Sequence, residues 1–518
     1  MNFARSLFTV SGLTVLSRVA GFVRDTLTAM FLGAGPIADA FFVAQRLPNL
    51  FRSLFAEGAF SSAFVPLYAA ELERNGTKSA QRFAGQALAL LLAVLIPFSI
   101  AIMIGMPWVM YVLAPGFEND PEKFNLAVRY SIIAFPYLAL ISISALQASV
   151  LNAHGRFGPG AAAPVALNLV MIAALFVAHG VGFPIGDTLA WAFALAGIVQ
   201  MGWLFISCLR AGITIPLLRP RFDKTGRRLF AQIGPGAIGA GAAQVNLLIS
   251  TILASTLPTG AVSYLYYADR LNQMPLGIVG IAVATTLLPL MAKHIEAGRE
   301  DMALHFMNRA IEFSLLLGLP ATVGLIVAPE PIIKVLFEHG RFTHADTIET
   351  ARTLAAYAVG IPGFLLVKVF ASCFFARQNV ALPVKVALIA MVVNVVGSLV
   401  LVRLFEHAGI ALANSLAIWV NAGLLFWCLR REKTPVGDER FAHRAPRLLA
   451  CAVGMSFVTW SLVQQFSHLM EKPDLLHQGI GLALIIGLST LAYGLMLQVS
   501  GAMRVQDAIA ILKRKSDG

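Results

Sequence analysis

Hydrophobic runs of about twenty residues recur along this chain from one end to the other, the length an α-helix needs to cross a bilayer. Fourteen stand out, at roughly 7–32, 37–69, 84–113, 127–151, 160–181, 187–209, 229–256, 262–292, 309–337, 351–376, 382–404, 409–429, 446–466 and 478–500. Lipid offers no partner to a bare backbone, so spans of this kind must be helices. The longest polar stretches, 210–228 and 430–445, are only connectors. With 58% hydrophobic and 13% charged residues, a soluble globular domain is excluded. The expected class is an all-α integral membrane protein of about fourteen transmembrane helices.

The first run is interrupted by arginines and is followed by no small-residue cleavage site. It reads as a retained span, not a signal peptide. The formal net charge is +12, but its distribution argues against nucleic acid as a partner. Lys and Arg gather in alternate loops: Arg74, Lys78 and Arg82; Arg210, Arg219, Arg221, Lys224, Arg227 and Arg228; Lys293, Arg299 and Arg309; Arg430, Arg431, Lys433, Arg440, Arg444 and Arg447; and Arg504, Lys513, Arg514 and Lys515 in a basic tail, 501–518. The 114–126 loop between them is acidic, with Glu118, Asp120 and Glu122. This asymmetry predicts both termini on the cytoplasmic side. The four cysteines show no CxxC spacing and read as small buried hydrophobes, and no metal site or cofactor is expected.

Charges inside the first two runs carry the functional signal. The first holds Arg18, Arg24 and Asp25; the second holds Asp39, Arg46, Arg52 and Glu57. An arginine at a bilayer centre costs about 2.5–3.5 kcal/mol even on the mildest scale. Such residues must face one another, a partner or water. Asp269 and Arg270 add to the set from the eighth run. Internal ion pairs that hold helices together are one reading. The other is a polar cavity for an anion. Arg24–Asp25 and Asp269–Arg270 are sequence neighbours, about 100° apart on a helix, and are not expected to pair squarely. Arginine keeps its proton and forks two N–H donors onto phosphate oxygens, so several converging arginines point to a phosphate or diphosphate.

The chain also echoes itself at an offset near 224 residues. Phe41-Phe42-Val43-Ala44-Gln45-Arg46-Leu47 aligns with Leu265-Tyr266-Tyr267-Ala268-Asp269-Arg270-Leu271, and Ala148-Ser149 with Ala371-Ser372. Proline-bearing spans containing Asn168 and Asn394 follow. The echo implies two six-helix lobes, 1–209 and 229–430, as a parallel repeat around a central cavity. An extra helix pair, 446–500, lies outside it. No G-x-x-x-x-G-K-[ST], H-E-x-x-H or G-x-S-x-G motif is present, so neither nucleotide hydrolysis nor those catalytic chemistries are expected.

The blocks SRVAGFVRDTLTAMFLGAG, ADAFFVAQRLPNLFRSLFAEGAFSSAFVP and YYADRLNQMPLG closely resemble the MurJ/MviN family of lipid II flippases, within the multidrug/oligosaccharidyl-lipid/polysaccharide exporter superfamily. The resemblance covers essentially the whole chain. It implies a transporter, not an enzyme. Such a protein moves the undecaprenyl-diphosphate-linked peptidoglycan precursor, lipid II, between leaflets of the inner membrane for cell wall synthesis. The family's cavity residues map onto Arg18, Arg24, Arg52, Arg270 and Asp39. Secondary cavity candidates are Asp25, Arg46, Asn49, Glu57, Ser263, Asp269 and Gln273. Gln273 stands where some relatives have an acid. Asn246 and Asn394 offer no acid for the sodium site of some relatives, and none is expected. The extra helix pair would form a groove for the polyprenyl tail. The expected partners are lipid II and membrane lipids, with a monomer that associates with cell-wall synthesis machinery. Export of another polyprenyl-linked glycan, multidrug antiport and a membrane enzyme acting on a lipid-linked substrate are the alternatives.

Overall fold

The structure, a computed structural model, describes residues 3–52, 59–220, 244–432, 434–472 and 474–502. Glu57, the connector cations Arg221, Lys224, Arg227, Arg228 and Lys433, and the tail from 503 onward lie outside the described residues. Within them every regular element is helical. Among the described residues, ten helical stretches are long and apolar enough, by length and composition, to cross a membrane.

The hydrophobic runs are continuous, but the helices are not. Of the expected span 37–69, the described residues hold α2 (Pro36–Arg52) and the start of α3 (Ala59–Ile104), after α1 (Phe3–Leu32). Then come α4 (Met106–Leu113), a 3₁₀ turn (Pro115–Asn119), α5 (Pro121–Ala134), α6 (Tyr137–Ala153), α7 (Gly158–Val181) and α8 (Ile185–Arg210). A short apolar helix, α9 (Gln244–Ser255), precedes α10 (Ala261–Pro275). The second part continues with α11 (Ile281–Glu296), α12 (Glu300–Val327), α13 (Pro329–Phe337), α14 (His344–Ala358), α15 (Ile361–Ala376) and α16 (Ala381–Arg431), and ends with α17 (Glu439–Gln465), α18 (Ser467–Met470) and α19 (Leu475–Val499). Prolines stand at the first turns of α4, α5, α13 and α15, where a missing N–H costs nothing. Five residues of π-helix, Leu276–Gly280, join α10 to α11 directly after Pro275. At 51 residues α16 would run about 75 Å if straight, more than twice a bilayer core. It is broken at Glu406, whose φ of 50° and ψ of −130° are not helical, so it comprises two spans.

Shifting α2 to α8 by 224 residues lands them on described helices of the second part. Helices α4, α5 and α6 fall on α13, α14 and α15 within a residue or two at each end. Helices α7 and α8 fall on the two halves of α16, and α2 falls on α10 and the first residue of the π-helix. The long α3 is interrupted at Gly76, and its two parts correspond to α11 and α12. The echo seen in a few side chains is therefore a repeat of whole elements.

By contacts the chain divides into two compact units, Met1–Ser263 with Gly340–Phe342, and Tyr264–His339 with Thr343–Gly518. This division falls later than the repeat boundary read from sequence, between 209 and 229. Bonds from α2 to Thr251, Gly260 and Ser263 draw α9 and the start of α10 into the first unit.

In the first unit, Phe60, Phe64, Tyr68, Phe83, Leu146, Val150 and Leu204 form one core between α3, α6 and α8. In the second, α11, α12, α15 and α16 share a core around Met291, Met307, Leu365 and Phe374. A further cluster of Leu319, Leu448, Met455 and Leu497 packs α17 and α19 onto α12. The start of α17 is also fastened electrostatically. Glu312 on α12 sits 2.6 Å from Arg309, 3.6 Å from Arg444 and 3.8 Å from Arg440, while Arg309 also bonds Asp438, the N-cap of α17.

Candidate functional site

Three polar knots lie among the apolar helices. The first is on α1. Arg24 donates to Asp25 Oδ1 through Nε at 3.1 Å and Nη2 at 2.6 Å, and to Asn168 Oδ1 on α7 through Nη1 at 3.1 Å. The neighbours Arg24 and Asp25, not expected to pair squarely, do bond, with both arginine donors meeting the one oxygen. The expectation rested on Cβ directions, but an arginine stem is long enough to curl back across the 100° between them. Asn168 in turn donates to the Ser17 carbonyl at 3.0 Å. Gly21 lies against it, and a Cβ there would stand 3.4 Å from Asn168 Nδ2. The guanidinium is thus held from two sides. Arg18, one turn and a half earlier, is exposed.

The second knot centres on Asp39, in the first turn of α2 and 1% exposed. Its two carboxylate oxygens accept four bonds. Lys123 Nζ donates to Oδ2 at 2.7 Å and the Gly260 amide to the same atom at 2.8 Å. The Ser263 amide and hydroxyl donate to Oδ1 at 3.0 and 2.7 Å. These two amides belong to the start of α10, so the carboxylate caps a helix N-terminus, a favourable seat for an anion. Asp39 and Ser263 are exactly one repeat apart in sequence, so equivalent positions of the two repeats bond one another.

Two glycine contacts flank this knot. Gly116 donates its amide to Ser255 Oγ at 3.3 Å, and Arg341 donates its amide to the Met30 carbonyl at 2.8 Å. A Cβ on Gly116 would fall 2.1 Å from the Ser255 carbonyl oxygen, and one on Gly340 2.3 Å from that of Met30. Shifted by 224 residues, Gly116 lands on Gly340 and Met30 lands one residue short of Ser255, so the two contacts are near-equivalents in the repeat.

The third knot is on α10. Arg270 lies over the Tyr266 ring, 4.7 Å from its centroid, and donates to the Tyr266 hydroxyl at 3.3 Å. Gln273 donates to Asp269 and is itself exposed. Arg46 has a different engagement. It donates to Thr251 Oγ1 at 2.5 Å and ties α2 to α9. Arg52 and Asn49 are half-buried toward the end of α2.

The structure therefore brings Arg24, Asp25 and Asn168 together, and Asp39 with Ser263. Sequence reasoning gave Asn168 no role beyond marking the repeat, and Lys123 was hidden in a loop read as acidic.

A protein-family model described as "Lipid II flippase MurJ" matches residues 28–477. This chain belongs to the MurJ family. A probable lipid II flippase MurJ of Rhizobium meliloti is 44% identical over 460 residues, covering 88% of this chain and 86% of that protein. One from Rhizobium tropici is 40% identical over 99% of this chain and 97% of its own length. The lipid II flippase MurJ of Burkholderia cenocepacia is 38% identical over 83% and 84%. Among solved structures, a lipid II flippase MurJ in an inward closed conformation superposes with a TM-score of 0.76 at 24% identity, over 93% of this chain and 97% of that one. An inward-facing multidrug MATE transporter of the MOP superfamily gives 0.67 at 13% identity, over 82% and 97%. The all-helical, multi-pass membrane fold of MurJ is thereby shared, and membership of a flippase family makes this a transporter and not an enzyme.

Proposed function

We propose that this protein moves lipid II from the cytoplasmic to the periplasmic leaflet of the inner membrane, by alternating access, to supply cell wall synthesis. The observation that carries the reading is Arg24. A guanidinium held by Asp25 and Asn168 inside an apolar bundle is the kind of pre-aimed cation that a diphosphate requires. Arg18, Arg24, Arg52 and Arg270 read the diphosphate, and Asp39 serves as the acid of the cycle. Both termini face the cytoplasm, and the protein works as a monomer beside the cell-wall synthesis machinery.

The final helix pair receives the polyprenyl tail. Leu449, Val453, Phe457 and Trp460 on α17 form an exposed apolar stripe at helical spacing, and Leu484, Leu488, Leu491 and Leu495 form another on α19. Such faces suit acyl or prenyl chains and offer nothing to a sugar.

Depletion of the protein in cells tests the function. Lipid II is expected to accumulate on the inner leaflet, and wild-type protein to clear it. Arg24→Lys keeps the charge but loses the fork, and is expected to clear it at least tenfold more slowly. Accumulation of a different polyprenyl-linked lipid, or of none, refutes the reading.

A further inference from the structure

We infer that Lys123 is a positioning residue for Asp39, whose charge keeps this end of the helices shut and sets how often it opens. The inference rests on the proposed alternating access. Of the four donors to Asp39, three are neutral: the Gly260 amide and the amide and hydroxyl of Ser263. Only Lys123 brings a positive charge. It is 4% exposed, and its ammonium also lies 4.2 Å from the centre of the Phe117 ring. Phe117 belongs to the 3₁₀ turn that carries Gly116 onto Ser255. The ion pair therefore links three contacts: α2 to α5, α2 to the start of α10, and the Gly116 turn to the end of α9.

The pair is worth different amounts in different states. While this end is closed, both charges are out of water, and removing one leaves the other buried and uncompensated. Once it opens, both meet water, where such a pair contributes little. Loss of Lys123 therefore penalises the closed state selectively. A purely structural lysine would weaken both states alike.

The test uses purified full-length protein in lipid nanodiscs, with the four native cysteines replaced by alanine. Ser255→Cys serves as reporter. That residue is 3% exposed beneath Gly116 and reacts with a maleimide only when the end opens. Lys123→Met and Lys123→Gln are each expected to raise the labelling rate at least tenfold, and Lys123→Arg less than threefold. Adding Asp39→Asn to Lys123→Met is expected to lower labelling again, because no charge then remains buried. If Lys123→Met does not accumulate, Lys123→Gln, which keeps N–H donors for Asp39, carries the comparison. Unchanged labelling in the neutral variants overturns the inference. So does a double variant that labels at the product of the increases given by Lys123→Met and by Asp39→Asn measured alone. If labelling rises as expected while lipid II still crosses at the normal rate, the inference about the pair stands and alternating access is what fails.

Discussion

Asn168→Ala should slow transport without displacing Arg24 from the membrane. Asn168 is 5% exposed and makes two bonds, accepting from Arg24 at 3.1 Å and donating to the Ser17 carbonyl at 3.0 Å. A hydrogen bond with one charged partner is worth about 1.5–3 kcal/mol, and a neutral one about 1 kcal/mol. Arg24 keeps both contacts to Asp25, so its charge stays in place and only its aim is released. If the charged bond is lost from the transport barrier in full, about 1.5–3 kcal/mol corresponds to a rate loss of roughly 10- to 150-fold. The neutral bond appears instead as a small loss of stability. Asn168→Asp should be worse than alanine, because its carboxylate competes with the diphosphate for Arg24 and faces the Ser17 carbonyl with no donor. The assay is flipping of a fluorescent lipid II analogue in proteoliposomes, read by quenching from one side and normalised to inserted protein. Flipping within twofold of the parent by normally inserted Asn168→Ala would refute the claim that Asn168 aims Arg24.

Two further expectations concern stability. Gly116→Ala and Gly340→Ala should each lower the melting temperature in detergent, since overpacking typically costs about 1–3 kcal/mol. Gly340, at φ 62°, adds backbone strain and should fall further, whereas Gly180→Ala, with nothing within 4 Å of its Cβ, should not fall; equal behaviour of the three would refute the close-contact argument. His407 sits in the turn between the two spans of α16, its ring tilted against that of Tyr264 and facing Glu349, Arg352 and Glu406. Burial holds its pKa below the ordinary 6.5 despite the opposing pull of Glu349. The unfolded chain therefore takes up a proton first as pH falls, so this contribution to stability is full above 6.5 and is lost below it. The melting temperature should drop between pH 7.5 and 5.5, and His407→Gln should flatten that slope; an unchanged slope rules the histidine out.

Much of the architecture was legible because bilayer thickness writes itself into sequence as run length. The repeat was legible too, since Arg46 and Arg270 recur in similar surroundings. Helix boundaries were less so. The runs at 127–151 and 351–376 are apolar without a gap, yet each is two helices, divided before Tyr137 and before Ile361. Pairings were least legible. Lys123 and Asp39 are 84 residues apart, and nothing local marks a lysine among acids as the one that turns inward. Arg309, Arg440 and Arg444 were visible only as basic loop charges. Their convergence on Glu312 depends on α12 and α17 lying side by side.

The meeting of Asp39 with Ser263 carries a consequence for ancestry. In an assembly of two identical half-length chains, this position would face its own copy. An acid there would oppose a second acid at hydrogen-bonding distance, and a serine would oppose a serine with no anion to cap the helix start. Neither arrangement gives an unopposed carboxylate that also accepts from a serine hydroxyl. The combination needs two different residues at equivalent places, which identical halves cannot supply and diverged halves can. On this view, the acid arose only once the halves had ceased to be identical, and the chemical lopsidedness of the transporter is younger than its symmetry.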